Sequence, residues 1–325
     1  MADNTFINDL SGIIRGGAPL VLAAVGETFT ERSGVVNLAL DGSLMLSALA
    51  GFAVGINTQS ILLGSLAAML VGAVVALIVA ASSIELKQSQ VAVGFVLTLL
   101  CRDLAVFLGT SYRGRPGLPA PNLVIPILSD IPLIGPIFFR QDVFTYLSLL
   151  AIIAAWFWIF RTKPGLALRS VGERPATAFA RGANVNRLRY LYTALGGALV
   201  GLGGAAYTLN VTTKWSDSDI SGNGWIALAI VIFGGWYPLR VALGVYLVAA
   251  LRTLATGWQA SGVPIALLNA IPWLLMVGTL LAVSGPYLDR LLKVLPPGLH
   301  PLVRTVLRAK PPAALGTIFE QEGRS

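Results

Sequence analysis

Residues 61–82 read ILLGSLAAMLVGAVVALIVAAS, a run without one charged side chain. A bilayer core roughly 30 Å thick takes about 20 such residues as a helix. Only a helix lets this backbone satisfy its own polar groups in lipid. The run therefore predicts a membrane span. Working outward, the same reading gives spans at 12–30, 35–57, 90–109, 143–160, 190–211, 225–238, 241–258 and 263–284. The fold class is all-α: one polytopic domain over 1–325 with about nine transmembrane helices, some of them broken. Pro19 and Gly26 interrupt 12–30. Asn37, Asp41 and Gly42 open 35–57. The stretch 225–238 is too short to cross and reads as a half-helix ending at Gly234, Gly235 and Pro238.

Composition agrees. Apolar types make up 55% of the 325 residues and charged types 12%, against about 25% charged in soluble domains. A soluble, disordered or nucleic-acid-coating protein is excluded. One cysteine, Cys101, rules out a disulfide framework, and one histidine, His300, rules out a histidine metal cluster. The first ten residues hold Asp3 and Asp9 but no Lys or Arg, so no signal peptide is expected. No GxxxxGK[ST], GxSxG or HExxH motif occurs. The chain is expected to be no enzyme, with no catalytic residue, metal or cofactor of its own. Gly196, Gly197, Gly201, Gly203 and Gly204 read as packing glycines, since small residues let helices approach in lipid.

The net charge of +8 carries an orientation. Segment 161–189 holds Arg161, Lys163, Arg169, Arg174, Arg181, Arg187 and Arg189 against Glu173 alone. Segment 285–325 is also basic. The positive-inside rule makes both cytoplasmic and leaves 110–142 outside. Nine crossings then place the N-terminus outside and the C-terminus inside.

Arg15, Glu27, Asp41, Arg102, Asp103 and Arg252 fall inside spans, where charges are costly and usually functional. Arg15 and Glu27 are expected to snorkel from span ends. Asp41 either lines a pathway or pins a turn. Arg102 and Asp103 point to different faces of their helix. RSGVVNLALDG (32–42) and SGNGWIALAIVIFGG (221–235) both run from small polar residues into an apolar half-helix, as corresponding parts of an inverted repeat would. In segment 161–189, Pro164 and Gly165 are expected to stop one helix. GERPATAFARGANV (172–185) then reads as a short second helix, with Glu173 and Pro175 at its start and Gly182 at its end. Such a helix offers a surface to another protein; a basic loop lying on anionic lipid is the plainer alternative.

Gly165, Leu168, Arg169, Val171, Gly172, Glu173, Pro175, Ala178, Gly182, Asn184 and Val185 form a pattern that resembles the coupling segment of bacterial ABC-importer permeases of the branched-chain amino acid, ribose and nucleoside type. ERSGVVNLALDG (31–42), IPILSDIPLIGPIFF (125–139), GNGWIALAIVIFGGWYP (222–238) and PPAALGTIFEQEGR (311–324) resemble its nucleoside and simple-sugar branch. The resemblance departs at Ala176–Thr177, where the family often has Glu-Ala, and at Asp41, where it often has Glu. It implies a permease subunit of an ATP-driven importer for a nucleoside or related simple sugar, in the bacterial inner membrane. The implied partners are a second, homologous permease, a two-domain cytoplasmic ATPase that binds ATP and Mg, and an extracytoplasmic substrate-binding protein. Gly172, Glu173, Pro175, Ala178, Arg181, Gly182 and Asn184 become the candidates for ATPase coupling. Asn37, Asp41, Asn223 and Trp225 become the candidates for the substrate pathway. The competing class is a stand-alone secondary transporter or channel.

Overall fold

The computed structural model describes residues 2–132, 134–259, 270, 274, 277, 278 and 311–320. In chain order the elements are α1 (Ala2–Arg32), α2 (Leu40–Thr58), α3 (Ile61–Ile84), α4 (Gln90–Gly109), β1 (Asn122–Val124), α5 (Ile134–Phe138), β2 (Arg140–Asp142), α6 (Val143–Arg161), α7 (Lys163–Glu173), α8 (Pro175–Ala180), α9 (Val185–Ala206), α10 (Asp217–Ile220), α11 (Asn223–Phe233) and α12 (Pro238–Gln259). Among the described residues, seven helices are long and apolar enough to cross a membrane: α1, α2, α3, α4, α6, α9 and α12. The eighth stretch is α11, too short to cross, as its length in sequence suggests. The ninth, 263–284, lies outside the described residues, as does most of 285–325.

Glycine sets the packing. α9 lies between α1, α2 and α3, and at each contact a glycine replaces a side chain. A Cβ at Gly196 would fall 2.5 Å from the Gly26 carbonyl oxygen of α1. One at Gly201 would fall 2.1 Å from the Ala68 oxygen of α3, and one at Gly204 would fall 2.7 Å from the Leu44 oxygen of α2. Backbones this close gain dispersion that side chains would forbid, which is how helices associate without a hydrophobic drive. Gly26 and Pro19 do not interrupt α1, contrary to the sequence expectation. Gly26 is a contact point on α9, and the Pro19 carbonyl packs on Gly203. α4 leans on α2 and α3, whereas α6 leans on α1 and α12.

The two ends of the bundle differ. One holds residues 110–142 with β1 and β2 paired antiparallel, the start of α1, and residues 212–219. There Arg15 pairs with Asp142 at 3.5 Å and donates to Asn210 at 3.2 Å. The other end is basic and holds the α3–α4 turn, α7, α8 and residues 311–320. That short tail lies across the surface as a strap. Ala314 N–H donates to the Gly172 carbonyl at 2.9 Å, Gly316 N–H to the Gly34 carbonyl at 3.0 Å, and Arg189 to the Thr317 carbonyl at 3.0 Å. Lys87 donates to Glu320 and holds its carboxyl below the usual range. The Phe319 ring packs on Phe179.

Candidate functional site

Two chain breaks meet inside the bundle. After α1 the chain runs through 33–39 without helix before α2 begins, and after residue 220 it turns at Gly222 (φ +87°) before α11 begins. The first turns of α2 and α11 touch: a Cβ at Gly224 would lie 2.3 Å from the Asp41 Cα. Only glycine permits this approach. The junction is deep. A Cβ at Gly42 would meet the Thr98 carbonyl of α4 at 2.2 Å, and Thr98 Oγ1 donates to the Leu38 carbonyl at 2.6 Å. Thr98 is roughly 12 Å along α4 from its basic end, at about 1.5 Å per residue.

Asp41 acts as an acceptor for the open end of α11. Its Oδ1 takes the Gly224 N–H at 2.9 Å, and the backbone N–H groups of Gly222 and Trp225 bear on the same carboxylate. A helix start exposes unpaired N–H groups and partial positive charge, so an anion settles there. Beside Asp41, Arg252 of α12 donates to Asn223 Oδ1 at 2.6 Å, and Asn223 Nδ2 donates to the Asp219 carbonyl at 2.9 Å. Tyr207 is also buried, and its hydroxyl has no hydrogen-bond partner among the described residues. Tyr207 opens a π-helical turn, Tyr207–Val211, that ends α9. Such turns re-aim side chains and recur at functional sites.

Asp41, Asn223 and Trp225 therefore come together, with Trp225 half-buried and contributing through its backbone. Asn37 lies apart. Its amide donates to Glu27 Oε2 at 3.3 Å, in a second buried group formed with Glu31 and Trp236. Glu27 is fully buried and does not snorkel, because the chain after α1 folds back and sets Asn37 against it. Trp236 Nε1 donates to Glu31, while Arg32 donates twice to the Trp236 carbonyl, at 3.0 and 2.9 Å. The last two turns of α1 thus grip the segment before α2 and the turn after α11.

The coupling candidates sit at the basic end. α6 ends at Arg161, and the Thr162 side chain accepts the Gly165 N–H at 3.1 Å, starting α7 at once. Pro164 lies in the first turn of this new helix. Glu173 ends α7 and does not start the next helix; Arg174 separates the two, and α8 begins at Pro175. The expected short helix is α8, which starts at Pro175 and ends before Gly182; α7 is a further helix that the sequence reading did not assign, and Pro175 keeps the two apart because it offers no N–H to continue α7. Gly182 closes α8 at φ +89°. Ala183 N–H reaches the Ala178 carbonyl and Gly182 N–H the Phe179 carbonyl, the paired bonds of a Schellman end. Asn184 then caps α9 through the Arg187 N–H at 3.0 Å. Ala178 is buried with Val171 and Val185. Glu173 and Arg181, with Ser170, Arg174, Thr177 and Ala183, line a cleft of about 320 Å³. Gly172 sits against the Arg32 carbonyl, where a Cβ would approach to 2.1 Å. The candidate coupling segment therefore touches the end of α1, whose last two turns hold the segment before α2 through Glu27 and the turn after α11 through Glu31 and Arg32.

Sequence reading missed Tyr207 and the pairing of Arg252 with Asn223. Arg252 was visible as an intramembrane charge. No local signal marks the π-helical turn.

The family model described as the branched-chain amino acid transport system / permease component matches residues 10–280. Three curated relatives are similar over most of their length. The putative glucose ABC transporter permease protein TsgC13 of Haloferax volcanii is 36% identical, over 75% of this chain and 76% of its own. The guanosine ABC transporter permease protein NupQ of Bacillus subtilis is 39% identical, over 70% and 75%. The nucleoside ABC transporter permease protein NupC of Lactococcus lactis is 32% identical, over 84% and 91%. No solved structure matches the chain significantly.

Proposed function

The chain belongs to the family of branched-chain amino acid transport system permease components, and we propose that it is the membrane-spanning subunit of an ATP-driven importer for a nucleoside or related sugar-containing solute. One observation carries the mechanism: Gly172 of the candidate coupling segment rests on the end of α1, whose last two turns grip the segments flanking α2 and α11. A companion ATPase docks on the basic end at Gly172, Glu173, Pro175, Ala178, Arg181, Gly182 and Asn184, and supplies ATP and Mg. The α7–α8 cleft offers it a rigid, charged surface. Its movement reaches Arg32 through Gly172, then Asn37 on one side and Trp236 on the other. Asp41 and Asn223 lie one step further, where α2 and α11 meet. Closing and opening that junction gives two discrete packings, which alternating access requires.

The pathway is lined at mid-depth by Asp41 and Asn223 with Arg252, Tyr207 and Trp225. Amide, carboxylate and aromatic groups suit ribose hydroxyls and a flat base, and the relatives' substrates agree with that chemistry. Asn37 serves the link from below. The basic end is cytoplasmic by the positive-inside rule. The start of α1 at the opposite end supports an outside N-terminus, and residues 311–320 at the basic end support an inside C-terminus. A substrate-binding protein delivers solute at the outer end, and a second permease completes the pathway.

The test is uptake of labelled nucleoside into vesicles holding the whole transporter. ATP-dependent accumulation that stops when the ATPase subunit is omitted is the expected result. Accumulation that continues without it would overturn the reading in favour of a stand-alone transporter.

A further inference from the structure

α6 and α9 both lean on α1 but barely meet each other. The sequence explains the gap. Towards α9, Ala151, Ala154 and Ala155 of α6 offer only methyl groups, at the spacing of one helix face. Opposite them, Leu191 and Leu195 of α9 are exposed. Between the two helices runs an apolar groove of about 470 Å³. Its floor is Phe29 of α1 and Tyr192 of α9, two buried rings stacked with centroids 6.1 Å apart. From Leu191 to Leu199 the groove follows α9 for about 12 Å, at about 1.5 Å per residue. That is close to one leaflet of a bilayer core roughly 30 Å thick.

The groove lies at the basic end of both helices. Trp158 is within a turn of the end of α6, and Leu191 is within two turns of the start of α9. Trp158 Nε1 donates to the Tyr192 hydroxyl at 3.2 Å, and that hydroxyl donates to the Pro164 carbonyl at 3.0 Å. These bonds tie α6, α7 and α9 together across the end of the groove. Just beyond the tie Arg161, Lys163 and Arg187 are exposed. Arg187 stands one turn before Leu191, on the same face of α9. Segments 161–172 and 184–191 contain no Asp or Glu.

We propose that the α6–α9 groove binds an acyl chain of an anionic phospholipid from the cytoplasmic leaflet, with the lipid phosphate at Lys163 and Arg187. Length and charge choose this occupant. An apolar slot one leaflet deep, headed by cations and an interfacial Trp, matches a lipid molecule from end to end. Basic pockets between spans on the cytoplasmic side hold anionic headgroups. A further membrane helix would have to run on through the tie of Trp158, Tyr192 and Pro164, whereas a lipid headgroup leaves sideways above it. Phe29 stands on α1 between Glu27 and Glu31, so the bound tail packs against the turns that link the candidate coupling segment to the junction. The site uses the cytoplasmic placement of the basic end and is independent of the solute.

The purified transporter, stripped of lipid in detergent, is mixed with phosphatidylglycerol and phosphatidylcholine of identical chains, and retained lipid is read by native mass spectrometry. The wild type should retain phosphatidylglycerol about tenfold over phosphatidylcholine. Ala154→Trp fills the groove from an exposed position and should abolish that retention, while Ile153→Trp, on the outward side of the same helix, keeps it. Lys163→Gln combined with Arg187→Gln, both at the surface, should bring the two lipids to parity. Equal retention of both lipids by the wild type would overturn the proposal, and so would undiminished phosphatidylglycerol in Ala154→Trp. A photo-crosslinking phenylalanine analogue at Leu195, illuminated in membranes, separates the occupants. An adduct to lipid is expected; an adduct to residues 263–284 or to another subunit would overturn the site. None of these readouts needs ATP or solute, so failure of the lipid site and failure of the importer reading are told apart.

Discussion

At the residue scale Asp41 holds the junction of α2 and α11 together. Its carboxylate holds the first N–H groups of α11, and hydrogen bonds to a charged group contribute about 1.5–3 kcal/mol. Asp41→Ala should therefore lower the thermal midpoint of the detergent-solubilised complex and cut uptake at least tenfold. Asp41→Asn keeps an acceptor and should retain most of the stability. An unchanged midpoint in Asp41→Ala would mean that the Gly224 contact stabilises nothing. Arg252→Met leaves Asn223 Oδ1 without its donor, so it should reduce uptake while the coupling surface stays intact; ATPase binding in a pull-down checks the second half. The sequence made Asp41, Asn223 and Arg252 visible singly, as polar side chains in apolar stretches. It could not show that they meet, because the meeting is a contact between α2, α11 and α12 across some 180 residues. Glu27 shows the same limit. Nothing near it in sequence hints that Asn37 folds back to cover it.

At the element scale the glycines of α9 and the double helix α7–α8 are the parts to perturb. Gly201→Val would force side-chain carbons into the Ala68 carbonyl. Overpacking costs about 1–3 kcal/mol, and here it should appear as reduced folded yield in membranes; Gly12→Val, where a Cβ meets nothing, is the control. Gly182→Trp probes the other part. Space at Gly182 is open, but its φ of +89° disfavours a side chain. The variant should still insert in the membrane, with ligand-stimulated ATP hydrolysis lost. Survival of both ATPase binding and stimulation would place the coupling surface elsewhere. Most of these elements were legible. Runs such as 61–82 gave the spans, and Gly234, Gly235 and Pro238 gave the end of α11. α7 was missed, because Pro164 and Gly165 read as the end of α6 when Pro164 in fact lies in the first turn of a new helix capped by Thr162. The π-helical turn at Tyr207 leaves no trace in composition or period.

At the scale of the whole molecule, a basic end and a deep junction are joined by the last two turns of α1. The strap formed by residues 311–320 clasps that same region, touching Gly172, Gly34 and Arg189. Truncation after Lys310 should leave solute binding by the extracytoplasmic protein untouched and reduce the uptake obtained per ATP hydrolysed; an unchanged ratio would make the strap dispensable for coupling. The measurement that tests the central claim most directly is ATP-driven uptake in proteoliposomes holding the purified transporter with and without its ATPase. Labelled nucleoside should accumulate only when ATPase, ATP and binding protein are all present. Accumulation by this chain alone under an ion gradient would contradict it.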